Sequence, residues 1–289
     1  MKLIPVMKSV PPLRFEQLRA RADSIRKESI GDSFALCAVI GISNYCRCNC
    51  LYCDLRKSNR ALVRRRLGED EILAAAFRAA KEGADILMLR SGEDIFFRKQ
   101  RIARLVGRIK DETGLALSLS LGSRKPEEYK LWRQAGADSY VLHHKSADEM
   151  IYAAYHPGDS LKKRIAALRT LRDLGFASGT GFIIGLPGQS DEVLMRDILL
   201  TQSLGAAVCA VRPFIGRQNT PMGHMQPGSA EKSLKVIAYL RSHMPGLHIP
   251  ATGALLGLLP EQKHNAALKA GANVILRYYP AWDSAPRSG

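Results

Sequence analysis

Nowhere in the sequence is there an apolar run long enough to cross a bilayer, and residues 1–14 carry lysines and prolines where a secretory leader has a continuous apolar core. No membrane association and no signal peptide are therefore expected, and the cytoplasm is the expected compartment. Cysteine is sparse. Six residues in 289, with no secretory segment, argue against a disulfide framework and suit a reducing compartment. Acidic residues are in deficit, 27 Asp and Glu against 43 Lys and Arg, for a formal net charge of +16. A basic surface attracts nucleic acid, an acidic partner or an anionic substrate. Much of this charge falls along helical patterns, as in Arg19, Arg21, Arg26 and Lys27 or Arg101, Arg104, Arg108 and Lys110. Solvated helix faces account for it, so nucleic acid is not the expected partner. Linkers, low-complexity tracts and short repeats are also lacking. With 46% hydrophobic residues, the chain suits one domain with a large core.

What is present is concentrated in one stretch, Ser43-Asn44-Tyr45-Cys46-Arg47-Cys48-Asn49-Cys50-Leu51-Tyr52-Cys53. Cys46, Cys50 and Cys53 are spaced Cys-x3-Cys-x2-Cys, close enough to wrap one side of a compact soft metal centre. Thiolates favour iron–sulfur clusters, zinc or copper(I). A closed zinc site wants a fourth Cys or His nearby, yet the next histidines downstream are His143 and His144. A cubane held by three cysteines keeps one iron open for a reacting ligand. Inert buried cysteines are the plainer alternative. Arg64-Arg65-Arg66, the densest basic cluster, follows this stretch and either borders the site or lies on the surface.

Around this loop, apolar runs alternate with amphipathic ones. Strands are expected over Ala35–Ile42, Asp85–Leu89, Leu115–Leu119, Ser139–Leu142, Thr180–Ile184, Ala207–Val211, Leu247–Ile249 and Asn273–Leu276. Helices are expected over Phe15–Ser29, Glu69–Lys81, Arg98–Thr113, Pro126–Ala135, Ser160–Leu174, Asp191–Leu204, Ser229–Met244 and Pro260–Ala270. Gly83, Gly136, Gly205 and Gly271 each end a helix and turn the chain into the next strand. This is the pattern of a mixed α/β fold, a parallel (β/α)8 TIM-type barrel lacking a full final helix, with an open doubly wound sheet as the alternative. The expected organisation is a helical lead-in over 1–30 packed on the barrel, the barrel over 31–279 and a short tail over 280–289.

The cysteine spacing with Tyr52 in the aromatic position resembles the signature of the radical SAM superfamily. The surrounding wording is more specifically similar to the group that holds the FeFe-hydrogenase maturase HydE, methylornithine synthase and biotin synthase. The similarity runs from about Phe15 to Asn273 and includes Leu117-Ser118-Leu119-Ser120-Leu121-Gly122, Tyr155-His156-Pro157-Gly158 and Ile249-Pro250-Ala251-Thr252. The resemblance implies that Cys46, Cys50 and Cys53 hold a 4Fe-4S cluster. An external one-electron reductant of the ferredoxin or flavodoxin type would reduce it. S-adenosyl-L-methionine (SAM) would then be cleaved to a 5′-deoxyadenosyl radical acting on a small-molecule substrate. It also implies cofactor-binding roles. Gly92 and Glu93 would hold the SAM amino group, and Arg164 its carboxylate. Ser118 and Ser120 would hydrogen-bond SAM, and Tyr52, Gly185 and Leu186 would border the adenine.

The chain departs from that pattern after the fourth strand. His143-His144-Lys145-Ser146 stands where HydE-like enzymes carry an Arg-x-Glu-Thr type sequence, so Lys145 reverses a charge beside the cofactor. Cys48 is an extra thiol within the motif, and Cys37 and Cys209 read as isolated strand residues. The resemblance implies a HydE-like enzyme of hydrogenase-maturation type, while these departures argue against the HydE substrate and bring in two alternatives. One is a methylornithine-synthase-like or other paralogue acting on a different, anionic small substrate. The other is a non-catalytic cluster-binding relative. Arg212, Thr252, Arg277, Tyr278 and Tyr279 are candidate substrate-facing residues by their position after their strands alone.

Overall fold

The structure, a computed structural model, describes residues 12–279. The expectations about the chain before Pro12, the tail over 280–289 and a final helix fall outside them.

Eight strands form one parallel sheet: β1 (Ala35–Ser43), β2 (Ile86–Ser91), β3 (Ala116–Ser120), β4 (Ser139–Val141), β5 (Ala177–Ile184), β6 (Val208–Pro213), β7 (Pro250–Ala251) and β8 (Val274–Tyr279). Their order is β6-β5-β4-β3-β2-β1-β8-β7. The two ends meet at one parallel bridge between Val208 and His248. There the His248 N–H donates to the Ala207 carbonyl and the Cys209 N–H to the His248 carbonyl, each at 2.9 Å. The sheet is thus a nearly closed β/α barrel, not an open doubly wound one.

Alternation along the strands builds two separate apolar layers. On β1, Ala38, Ile40 and Ile42 point outward into the main core. That core lies beneath the helices α2 (Glu69–Lys81), α3 (Lys99–Thr113) and α4 (Pro126–Gln134). Cys37 and Val39 point inward and meet Val274, Met88 and Leu276 inside the barrel. The other long helices are α6 (Leu161–Asp173), α7 (Asp191–Ser203) and α8 (Ala230–His243), preceded by the short α5 (Glu149–Tyr155). Ser160, Ser190 and Ser229 cap α6, α7 and α8, each accepting from a backbone N–H of the first turn. Ahead of the barrel, α1 (Pro12–Ile30) packs against α8, with Ala22 fully buried between them.

Two expectations are corrected. The seventh strand is Pro250–Ala251 rather than Leu247–Ile249. His248 pairs with β6 only at the isolated bridge, and ladder pairing begins where β8 runs alongside. The helix expected over Pro260–Ala270 is only a 3-10 turn (Glu261–Lys263) and the short α10 (Ala266–Lys269), after an equally short α9 (Gly253–Leu256). Residues 261–265 are all exposed and only Ala266, Ala267 and Ala270 are buried, so just one turn has an inner face to stabilise it.

Candidate functional site

The chain leaves β1 at the C-terminal mouth of the barrel and folds into the cysteine loop. Its backbone is tied to three neighbours. The Arg47 N–H donates to the Glu93 carbonyl at 3.1 Å, the Leu51 N–H to Tyr155 at 3.0 Å and the Lys57 N–H to Cys48 at 2.8 Å. Cys46 Sγ accepts the backbone N–H groups of Cys48 and Glu93, each at 3.4 Å. A hydrogen bond from the Cys48 thiol, aided by these N–H groups, holds the Cys46 thiol down at about 6 against the effect of burial. Burial, with Asp54 beside it, pushes Cys53 up to about 12. Lys145 Nζ lies 3.5 Å from Cys50 Sγ. Among the described residues no three His, Cys, Asp or Glu side chains gather around a point suited to one metal ion. A cubane asks for something else: three soft thiolates, each on a different iron and so further apart. The donor chemistry and the N–H groups turned to Cys46 fit that group.

Gly92 closes the turn after β2. A Cβ there would stand 2.4 Å from the Tyr45 carbonyl oxygen and 2.6 Å from Cys46 Cβ, so only glycine lets this turn press on the first cysteine. The next residue, Glu93, is buried and accepts the Ser123 N–H at 2.9 Å and Arg47 Nε at 3.2 Å. Arg164, early in α6, reaches Glu93 at 3.5 Å. The same guanidinium pairs with Asp159 and donates from Nε to the Tyr152 hydroxyl at 3.0 Å. Burial acts to raise the Glu93 carboxyl, but Arg164 foremost, then the Ser123 N–H, holds it below the usual range. Asp94 accepts Ser43 Oγ at 2.6 Å and two Arg66 nitrogens at 2.7 and 3.0 Å, which locks this turn to the end of β1.

Tyr52 donates or accepts at 2.7 Å with His156 Nε2 and sets its ring edgewise against His156 and Phe214. Burial, with Lys145 nearby, pushes His156 down to about 2, so its imidazole is neutral. Leu186 is buried with Ile183 and Phe214, and Tyr52 packs on that cluster. Gly185 has φ +85° and would bring a Cβ to 2.7 Å from Gly228 Cα. Ser118 and Ser120 share the inward face of β3 and line a barrel cavity of about 260 Å³. Ser118 Oγ is buried with no hydrogen-bond partner. Lys145 sits at φ 70°, uncommon for a residue with a side chain. Its N–H donates to Gly181 at 2.9 Å and its carbonyl accepts from Ile183 at 3.0 Å, so β5 holds it in place.

The structure therefore gathers Cys46, Gly92, Glu93 and Arg164 on one side of the mouth, Cys50 with Lys145, and Tyr52 with Gly185 and Leu186 on the other, with Ser118 and Ser120 below. Sequence reasoning missed Arg90, which lines the cavity with Arg212, Thr252 and Tyr278. Arg90 Nη1 lies 3.4 Å from the Tyr278 hydroxyl. Burial and then the neighbouring Arg90 charge pull Arg212 below the usual guanidinium value. The available signal was phase: Met88 and Arg90 take the inward positions of β2. The same phase corrects two expectations. On β8, Leu276 and Tyr278 line the cavity. Arg277 and Tyr279 point outward to Glu82, at 3.7 Å and 2.8 Å.

Residues 40–200 match the family model described as Radical SAM superfamily. The chain is 37% identical over 271 residues to the [FeFe] hydrogenase maturase subunit HydE of Thermotoga maritima, covering 94% of this chain and 76% of that one. It is 27% identical over 268 residues to 3-methylornithine synthase of Methanosarcina acetivorans, covering 92% and 75%. A crystal structure of methylornithine synthase (PylB) superposes with a TM-score of 0.87 at 25% identity, over 94% of this chain and 80% of that one.

Proposed function

Since the chain belongs to the radical SAM superfamily, we propose that it is a HydE-like radical SAM enzyme acting on a small anionic substrate in the barrel cavity. The observation that carries this reading is the cysteine loop seated at the mouth of a cavity lined by Arg90 and Arg212. In this reading Cys46, Cys50 and Cys53 hold a 4Fe-4S cluster, and Glu93, Arg164, Ser118, Ser120, Tyr52, Gly185 and Leu186 surround SAM. The chemistry these groups supply when bound is one-electron reductive cleavage of SAM, followed by hydrogen abstraction from the substrate or addition to it.

The protein's own part is binding, orientation and exclusion of water. Glu93 is an acceptor for an ammonium group and Arg164 a fork for a carboxylate. Held 3.5 Å apart, they would take the two ends of one amino-acid moiety. The unpartnered Ser118 hydroxyl is a donor awaiting an acceptor. Arg90 and Arg212, two guanidiniums facing one cavity, favour a carboxylate or similar anionic oxygen group on the substrate. The apolar walls, Val39, Met88, Val141 and Leu276 among them, would hold the rest of it. The contact of Lys145 with Cys50 favours a second reading, a cluster-binding relative without turnover.

The cluster assignment is tested by anaerobic reconstitution of single variants. Cys46→Ser, Cys50→Ser and Cys53→Ser are each expected to lose most bound iron, and Cys48→Ser and Cys209→Ser to keep it. Full iron uptake by Cys50→Ser would sink the assignment.

A further inference from the structure

Beside the cysteine loop lies a segment dense in basic residues. Between Arg47 and Arg66 there are seven Lys or Arg residues and one acid, Asp54. Several of the cations build the loop itself. Arg56 Nε donates to Asn49 Oδ1 at 3.1 Å, and Arg64 Nη1 donates to the Leu55 carbonyl at 3.0 Å. Others face water. Lys57 and Arg60 are exposed and pair with no carboxylate among the described residues. Arg65 is exposed too, with Glu71 at 3.0 Å. Apolar side chains stand uncovered among them: Val63 is 84% exposed and Phe96 47%. The Arg66 guanidinium lies 4.5 Å over the Phe96 ring and 3.7 Å over Tyr45, so the end of this basic segment packs directly on two aromatic rings.

Apolar groups left exposed within a charged rim mark an interaction surface. The charge selects an acidic partner, and the place selects its task. The Lys57 N–H is bonded to the Cys48 carbonyl at 2.8 Å, and Ser58 Oγ to Asn49 Oδ1 at 2.8 Å. The basic loop is thus fastened to Cys48 and Asn49, between the first and second cysteines of the motif. A protein seated on it stands next to whatever those cysteines hold.

We propose that this face, centred on Lys57, Arg60, Val63 and Phe96, docks an acidic one-electron carrier protein that reduces the cluster. The inference rests on the cluster reading above and adds where the electron enters. One electron leaves the carrier's reduced centre, which is oxidised, and enters the cluster, which is reduced; no bond is made or broken. Charge complementarity raises the association rate and makes it fall with ionic strength. An RNA would be drawn by the same charge, but the exposed apolar groups and the tie to the cysteine loop favour a protein donor.

The test uses the full reconstituted protein and a reduced acidic flavodoxin, with cluster reduction followed by stopped-flow absorbance across a salt series. Lys57→Glu with Arg60→Glu is expected to lower the second-order rate constant at least tenfold and to flatten its salt dependence. Reduction by a photoreduced deazaflavin, small and uncharged, is expected to keep its wild-type rate. An unchanged flavodoxin rate overturns the proposal. So does a double variant that loses salt-dependent RNA binding while flavodoxin reduces it normally. If deazaflavin finds no reducible cluster in the wild type, the cluster reading itself has failed, and the docking proposal falls with it.

Discussion

The ammonium group of Lys145 lies 3.5 Å from the sulfur of Cys50. A cation in that position stabilises the more negative, reduced state of any centre the thiolate binds. The residue is also held in a backbone conformation that its side chain disfavours, at φ 70°, by bonds to Gly181 and Ile183 on β5. Such strain persists where surrounding structure fixes it.

Removing this charge therefore lowers the reduction potential. In Lys145→Gln, the ratio of reduced to oxidised cluster at a fixed poised potential is expected to fall about tenfold, a shift of about 59 mV for one electron. Lys145→Arg keeps the wild-type value. A redox titration followed by electron paramagnetic resonance reads both. A Gln variant with an unchanged midpoint would show that the contact does not reach the cluster.

At Gly92 the expected change is steric. A methyl group would meet Tyr45 and Cys46 at under 3 Å, both fixed parts of the loop. Gly92→Ala is expected to cost about 1–3 kcal/mol and to halve iron uptake or worse. Thermal melting of the apoprotein and iron analysis after reconstitution measure the two effects separately.

Arg164 joins two carboxylates that would otherwise face each other. Its loss leaves Glu93 and Asp159 with an uncompensated charge, and Arg164→Met is expected to destabilise the fold by about 3–5 kcal/mol. In the wild type both carboxyls are held below their ordinary values, against burial, with Arg164 the foremost cause. The stability they contribute is thus fully present above the unfolded values, about 3.9 for Asp and about 4.3 for Glu, and is lost as pH falls through the lower folded values. Denaturant melts between pH 6 and pH 3 are expected to show that loss in the wild type and a shallower slope in Arg164→Met.

Arg90 and Arg212 place like charges inside the barrel, so Arg90→Gln is expected to raise the melting temperature. Phosphate at constant ionic strength is expected to stabilise the wild type more than this variant. Equal stabilisation of both would remove the argument for an anionic substrate.

Most of the framework was legible from the sequence because a parallel barrel writes itself as alternating buried strands and amphipathic helices. The four glycines expected to end helices, Gly83, Gly136, Gly205 and Gly271, all take positive φ. The three-cysteine spacing was legible as a candidate site because it lies within one short stretch of sequence. The losses have physical causes too. Leu247-His248-Ile249 looks like a strand, but its pairing depends on neighbours far away in sequence. Arg277 and Tyr279 were placed toward the substrate because strand phase was not applied beyond the strand end. Arg90 was passed over because its meaning depends on Arg212, which sits four strands away round the barrel. The role of His156 in holding Tyr52 across 104 residues was equally invisible.

The central claim is that these cysteines support SAM cleavage. Electron paramagnetic resonance of the reduced, reconstituted protein before and after SAM, with deoxyadenosine measured in the same tube, tests it most directly. A 4Fe-4S signal that changes on adding SAM, with deoxyadenosine formed and both lost in Cys50→Ser, is the expected result. A cluster whose signal ignores SAM and yields no deoxyadenosine would contradict the enzymatic account and leave a cluster-binding protein without turnover.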